Sequence, residues 1–103
     1  MAQNLPFSIA MRLIFIDHRL GENRWGELNR KDLVGAFGVT RKQAGDDINL
    51  YKAKWPNRIK YNHSRKTYVG QGECIFSSAT RGAVLAVILA VQTNEKHFRK
   101  LKD

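Results

Sequence analysis

The sequence predicts one α+β domain, mostly α: a three-helix core, a β-hairpin at its flank and an additional C-terminal helix. Three observations predict it. Apolar residues recur at helical spacing through the first twenty positions, Asn29 and Thr40 each open a short segment with a helix-starting pattern, and alternating apolar and polar residues flank a polar turn at 63–66.

The first helix is expected from Phe7 to about Leu20. Ile9, Leu13, Ile16 and Leu20 form its inward stripe, Met11, Ile14 and Phe15 widen it, and Gly21 stops it. The segment Trp25-Gly26-Glu27-Leu28 can supply only a brief strand, and Trp25 and Trp55, large aromatics at element ends, are expected in the core. Asn29 then offers a cap to a second helix, with Asp32 suited to the positive end of the helix dipole and Leu33 and Phe37 giving one apolar face. Gly38 ends it.

Thr40-Arg41-Lys42-Gln43 matches a capping box, in which the hydroxyl and amide side chains satisfy each other's backbone donors, and Val39 with Ala44 can form the accompanying staple. The third helix runs to about Lys54, because Trp55-Pro56 forbids its continuation, and Ala44, Ile48 and Tyr51 share one inward face. Beyond Pro56, Ile59 and Tyr61 alternate with Arg58, Lys60 and Asn62. Thr67-Tyr68-Val69 is strand-like again, so a hairpin follows, to which the strand near Leu28 can add a third strand. Helix, strand, helix, helix, hairpin is the order of a winged helix-turn-helix, whose third helix is the recognition element.

That unit is expected at 7–69, followed by a glycine-marked linker at 70–77 and a last helix at 78–100. The last helix is apolar nearly all round at residues 82–91. An apolar surface that so small a domain cannot cover marks an interface, so a homodimer through this helix is expected, against the alternative that it packs on the first helix of its own chain.

With 18 Lys and Arg against 9 Asp and Glu in 103 residues, the net charge of +9 favours a polyanionic partner. The placement is uneven: Arg41, Lys42, Lys52, Lys54, Arg58, Lys60, Arg65 and Lys66 fall in the third helix and hairpin, against Asp46 and Asp47 alone. Cys74 is the single cysteine, so an intrachain disulfide is excluded. No signal peptide or spanning segment is evident, which leads to the expectation of a cytoplasmic, nucleoid-associated protein.

Setting Ala44 and Ile48 inward turns Arg41, Lys42, Gly45, Asp46, Asn49 and Lys52 toward the opposite side, where a recognition helix meets the major groove. Arg and Lys read guanine or hold phosphate, Asn49 has the paired donor and acceptor that adenine requires, and Gly45 admits close backbone approach. Asp46 suits cytosine or the orientation of a neighbour. Arg65 and Lys66 at the hairpin tip are placed for phosphate or the minor groove, with Asn62, His63 and Ser64 beside them, whereas Tyr61 and Tyr68 read as sheet packing.

The stretch from Arg12 to Val69 resembles the N-terminal winged helix of bacterial WYL-domain transcriptional repressors, in particular those controlling BREX and CBASS phage-defence systems. The resemblance is carried by Phe15-Ile16-Asp17-His18-Arg19-Leu20, Leu28-Asn29-Arg30-Lys31-Asp32-Leu33, Phe37-Gly38-Val39-Thr40, Gln43-Ala44, Asp47 and Ser64-Arg65-Lys66-Thr67-Tyr68-Val69. It implies a homodimeric repressor on a palindromic duplex-DNA operator, with the helix from Thr40 in the major groove, Thr40 and Gln43 among its contacts, and the wing on the flanking backbone. Such regulators continue into a ligand-sensing WYL domain and a dimerisation region. This chain is therefore expected to be either a stand-alone relative that dimerises through its last helix or the N-terminal part of a longer regulator.

Catalysis is not expected. His18, His63 and His97 lie far apart in sequence, no His/Cys spacing suits zinc, and no cofactor motif is present. The competing class is a winged-helix adaptor that binds RNA or docks a protein, a role that does not require a basic recognition face.

Overall fold

The computed structural model describes residues 5–21 and 26–102, with side chains as far as Val91. Trp25, expected in the core, and the side chain of His97 lie outside the described residues. The elements are α1 (Phe7–Leu20), β1 (Glu27–Leu28), α2 (Arg30–Phe37), α3 (Arg41–Lys54), a 3-10 turn (Pro56–Arg58), β2 (Ile59–Asn62), β3 (Thr67–Gly70) and α4 (Ser78–Lys102). The sheet is antiparallel in the order β1-β3-β2, with Leu28 opposite Tyr68 on one side of β3 and Tyr61 opposite Tyr68 on the other. This is the expected mostly helical arrangement with a hairpin wing.

Local chemistry sets the helix ends. At α2 the Asp32 carboxylate accepts from the Asn29 N–H at 2.8 Å, satisfying a donor that the first turn cannot. Its C-terminus closes at Gly38, whose φ of 70° is left-handed and whose N–H bonds Val34 O. That turn redirects the chain into α3 within three residues, and a Cβ at Gly38 would be strained there. Thr40 Oγ1 accepts from the Gln43 N–H at 3.0 Å, as the capping pattern predicts. The reciprocal half is not made. The Gln43 amide runs along the helix to Asp47 Oδ1 at 2.9 Å, because a buried carboxylate is a stronger acceptor for it than a donor at an exposed helix end is a partner.

The core is built from α1, α2, α3 and the sheet. Leu13, Ile16, Leu20, Leu28, Leu33, Ala44, Ile48, Tyr51 and Ile59 are all buried. Each such Leu or Ile contributes about 1.5–3 kcal/mol by leaving water. Gly70 lies where the end of α1 crosses the sheet, and a Cβ there would sit 2.0 Å from Leu20 O, so only glycine lets these backbones approach.

Charged residues enter this core, which the helical pattern does not lead one to expect. Asp17 is fully buried. Its carboxylate accepts from Tyr51 Oη, from Arg58, and from the backbone N–H groups of Ile75 and Phe76. Burial and then the bond to Asp17 push the Tyr51 phenol above the usual tyrosine range, so it stays a neutral donor. The alternation at the start of the hairpin places Arg58 outward. It is buried in the 3-10 turn instead, and its guanidinium also donates to Gln71 O and Gly72 O. Through these bonds the stretch 70–77, expected as a linker, is fastened to α1 and α3. Cys74 sits half-buried beside the same guanidinium.

α4 starts at a Ser77 cap, whose Oγ accepts from Thr80 N, and packs on α1 with Arg81 and Val84 buried and Leu85 and Ile88 against the core. On one flank of that contact Val87 and Val91 are 49% and 59% exposed, and on the other Leu89 is 65% exposed. No described helix is long and apolar enough to cross a membrane.

At the α1–α4 contact, His18 Nδ1 is buried and without a hydrogen-bond partner among the described residues. Burial, with the Arg81 and Arg19 charges and against that of Asp17, lowers the His18 pKa below 6.5. The unfolded chain therefore takes up this proton first as the pH falls. Stability from neutral His18 is complete above pH 6.5 and is lost on acidification down through the folded pKa. In urea titrations at pH 7.5 and 5.5, His18→Gln is expected to lose less stability on acidification than the wild type. Equal losses in the two proteins would contradict it.

Candidate nucleic-acid interface

Local geometry divides α3 into two sides. Ala44, Ile48 and Tyr51 are buried against α1 and α2, while Arg41, Lys42, Asp46, Asn49 and Lys52 are exposed. α4 packs on α1 and leaves this side open. Thr40 is exposed at the cap and Gln43 is half-buried. Lys42 and Asp46 are neighbours one turn apart and lie 3.4 Å from each other, both well solvated, a pair that is weak in water.

Gly45 is placed differently from the expectation that it faces outward. It is buried, and the Arg30 guanidinium of α2 lies across it, where a Cβ would meet Arg30 Cζ at 2.9 Å. The close approach that this glycine allows is therefore to Arg30.

The wing tip carries His63, Ser64, Arg65 and Lys66, all exposed. Asn62 Oδ1 accepts from the Arg65 N–H at 3.0 Å and shapes the turn, and Lys66 takes a left-handed φ of 54° before the chain re-enters β3. Arg65 pairs with Glu27 of β1 at 2.6 Å across an exposed surface, an ion pair weak enough in water to be exchanged for another anion. Tyr61 meets both His63 and Tyr68 edge-to-face, at centroid distances of 4.9 Å in each case. The tyrosines are indeed cross-strand partners, but they are also half-exposed.

They line a cleft of about 520 Å³ with Asn29, Arg30, Lys31, Arg41 and Lys66. This cleft joins the first turns of α2 and α3 to the wing. Among the described residues, four cations and no carboxylate bound it. Two of its residues, Arg41 and Lys66, are expected at the site from the sequence, whereas Lys52 lies toward the far end of α3. Asn29, Arg30, Lys31, Tyr61 and Tyr68 are not. Arg30-Lys31 in the first turn of a helix, where cations are disfavoured by the dipole, is the available signal that something other than helix stability places them. Cations facing one cleft attract an anion, and two aromatic rings beside them suit a sugar-phosphate strand.

A model of the BrxR transcriptional regulator winged helix-turn-helix domain matches residues 8–88 of this sequence. The chain belongs to that family. This is the kind of regulator that the sequence motifs resemble, and the match continues through 70–77 into α4. Two relatives, one from Escherichia coli strain KTE188 and one from Escherichia coli, are each named DNA-binding transcriptional repressor CapW. They are 40% identical to the chain over 58 residues, which is 55% of this chain and 18% of theirs. The chain thus spans less than a fifth of the length of these curated relatives. Among the described residues of this BrxR-type domain, no group of three or more His, Cys, Asp or Glu is placed to hold a metal ion.

Proposed function

We propose that this chain is a sequence-specific duplex-DNA-binding regulator that represses transcription as a homodimer. One observation carries the reading: the open polar side of α3 is continuous with a cleft of four cations that leads to the wing. A helix about 10–12 Å across with its side chains fits the major groove, about 12 Å wide. Lys42, Gln43, Asp46 and Asn49 would then face base edges, with Thr40 and Arg41 at the helix start and Lys52 at its far end. The cleft and the wing residues His63, Ser64, Arg65 and Lys66 would hold the flanking phosphates. Membership of a transcriptional-regulator family and likeness to two proteins named as repressors support this assignment. A protein with this role works at the nucleoid.

The dimer is proposed through the exposed flank of α4 that carries Val87 and Val91, one turn apart, since the neighbouring face is already used against α1. Selection of preferred sites from random duplex DNA tests the whole reading. The expected product is a palindrome with half-sites about 10 bp, or a multiple of it, apart. Recovery of no preferred duplex, with tight binding to structured RNA instead, would reject operator recognition. Sedimentation at micromolar concentration is expected to show a dimer, and a monomer there would remove the α4 interface.

Asn49→Ala is expected to weaken binding to the selected site by about 1–3 kcal/mol while changing binding to random duplex little, since an amide paired with adenine acts only at its own base. Equal losses on both DNAs would show that Asn49 does not read sequence.

A further inference from the structure

Gln43 stands in the first turn of α3, with its backbone held by the Thr40 cap and its side chain by Asp47. A glutamine amide has a donor end and an acceptor end of nearly the same shape, so a solvated one presents either end to a groove. This one is not free to turn. Gln43 Nε2 donates to Asp47 Oδ1 at 2.9 Å, and a carboxylate only accepts, so reversing the amide would set two oxygens against each other.

Asp47 is itself immobile. It is 2% exposed, and Arg12 of α1 grips it with Nε on Oδ2 and a second nitrogen 3.4 Å from Oδ1. The Arg12 side chain is 9% exposed. A buried, forked ion pair between α1 and α3 therefore ends on the one half-buried amide of the recognition helix.

We propose that Arg12 and Asp47, neither of them open to the groove, are positioning residues that set the base preference of Gln43 by fixing its amide with Oε1 and one N–H outward. This rests on the reading of α3 as the groove helix. An acceptor beside a donor matches the N6 amino group and N7 of adenine. It does not match guanine, which shows two acceptors there, or cytosine, which shows a single donor. Gln43 then selects adenine at one base pair of each half-site, about tenfold over the other bases.

The test uses the full chain and single-base variants of its selected duplex in competition titrations. Three proteins are compared: wild type, Gln43→Ala, and the double variant Arg12→Gln with Asp47→Asn, in which both charges leave together so that no unpaired buried charge remains. The wild type is expected to prefer adenine at one base pair, Gln43→Ala to lose that preference, and the double variant to lose it at that same base pair more than at any other.

A double variant that keeps the wild-type preference there would overturn the positioning role and leave the groove reading standing. A Gln43→Ala protein with unchanged preferences, beside an Asn49→Ala protein whose preferences change, would do the same. No preference at any base pair in the wild type would remove both. If the double variant does not fold, exchange of the Gln43 side-chain amide in the free wild-type protein decides the matter. One protected proton is expected, and two that exchange as in a solvated glutamine would overturn the lock.

Discussion

Asp17→Ala is expected to destabilise the domain by about 3–5 kcal/mol, since it removes one partner of a buried ion pair and leaves the other charge uncompensated. A domain of this size has about 5–15 kcal/mol in all, so the variant falls near or below the folding threshold. The carboxylate accepts from Tyr51, Arg58, Ile75 and Phe76, and these partners belong to α3, the 3-10 turn and the segment before α4. All of those donors lose their acceptor at once. The Arg58 and Asp17 side chains are 5% and 0% exposed, so solvent does not screen the loss. Asp17→Asn keeps the shape but not the charge and is expected to fall between the two. Replacing Asp17 and Arg58 together by apolar residues of similar volume is expected to recover much of the difference. Urea unfolding measures all three, and an Asp17→Ala midpoint close to that of the wild type would show that the network contributes little.

The second large effect is on binding. Replacing Arg30, Lys31, Arg41 and Lys66 together by Gln is expected to lower affinity for any duplex about a thousandfold near 0.1 M salt. It should also reduce the slope of log affinity against log salt by about 0.9 for each phosphate that is no longer neutralised. All four side chains belong to exposed residues, so the fold should survive. The effect should not distinguish operator from random DNA, because binding to phosphate carries no sequence information. This is the opposite of what is expected of Asn49→Ala and Gln43→Ala. An unchanged salt slope would show that the duplex does not occupy the cleft, and the path of the DNA over the wing would have to be redrawn.

Much of the architecture is legible in the sequence because its causes are local. The α1 stripe, the starts at Asn29 and Thr40, the stop at Gly38 and the alternation on each side of 63–66 all depend on residues within four positions of one another. What local patterns misplace are charged or polar residues whose partners are remote. Arg12 lies four residues before Ile16, and Asp17 lies four after Leu13, so both fall within the apolar stripe of α1. A wheel marks them as intrusions, but only Asp47 and Arg58, 35 and 41 residues away, show how they are tolerated. Gln43 reads as half of a capping box because that partner is three residues away. The competing carboxylate at Asp47 is held in place by Arg12, which the local pattern does not contain.

The cleft follows the same rule. Arg41 and Lys66 stand out as basic residues on elements that the sequence already assigns to the site. Asn29, Arg30 and Lys31 show in the sequence only their effect on α2, and Tyr61 and Tyr68 only their fit to a sheet. The packing of α2 beside α3 and the twist of the hairpin bring these groups around one hollow.

By itself the sequence determined where the helices begin and end, which faces turn inward and where positive charge accumulates, since backbone hydrogen bonding and the periodicity of apolar residues act over a few positions. Only the tertiary structure decided which charges are buried in pairs, that residues 70–77 are tied to Asp17 and Arg58, and that Gln43 is held by Asp47. Those outcomes depend on electrostatic and hydrogen-bonding energies that become large only after water has been excluded, and water is excluded only when segments distant in the chain have closed over one another.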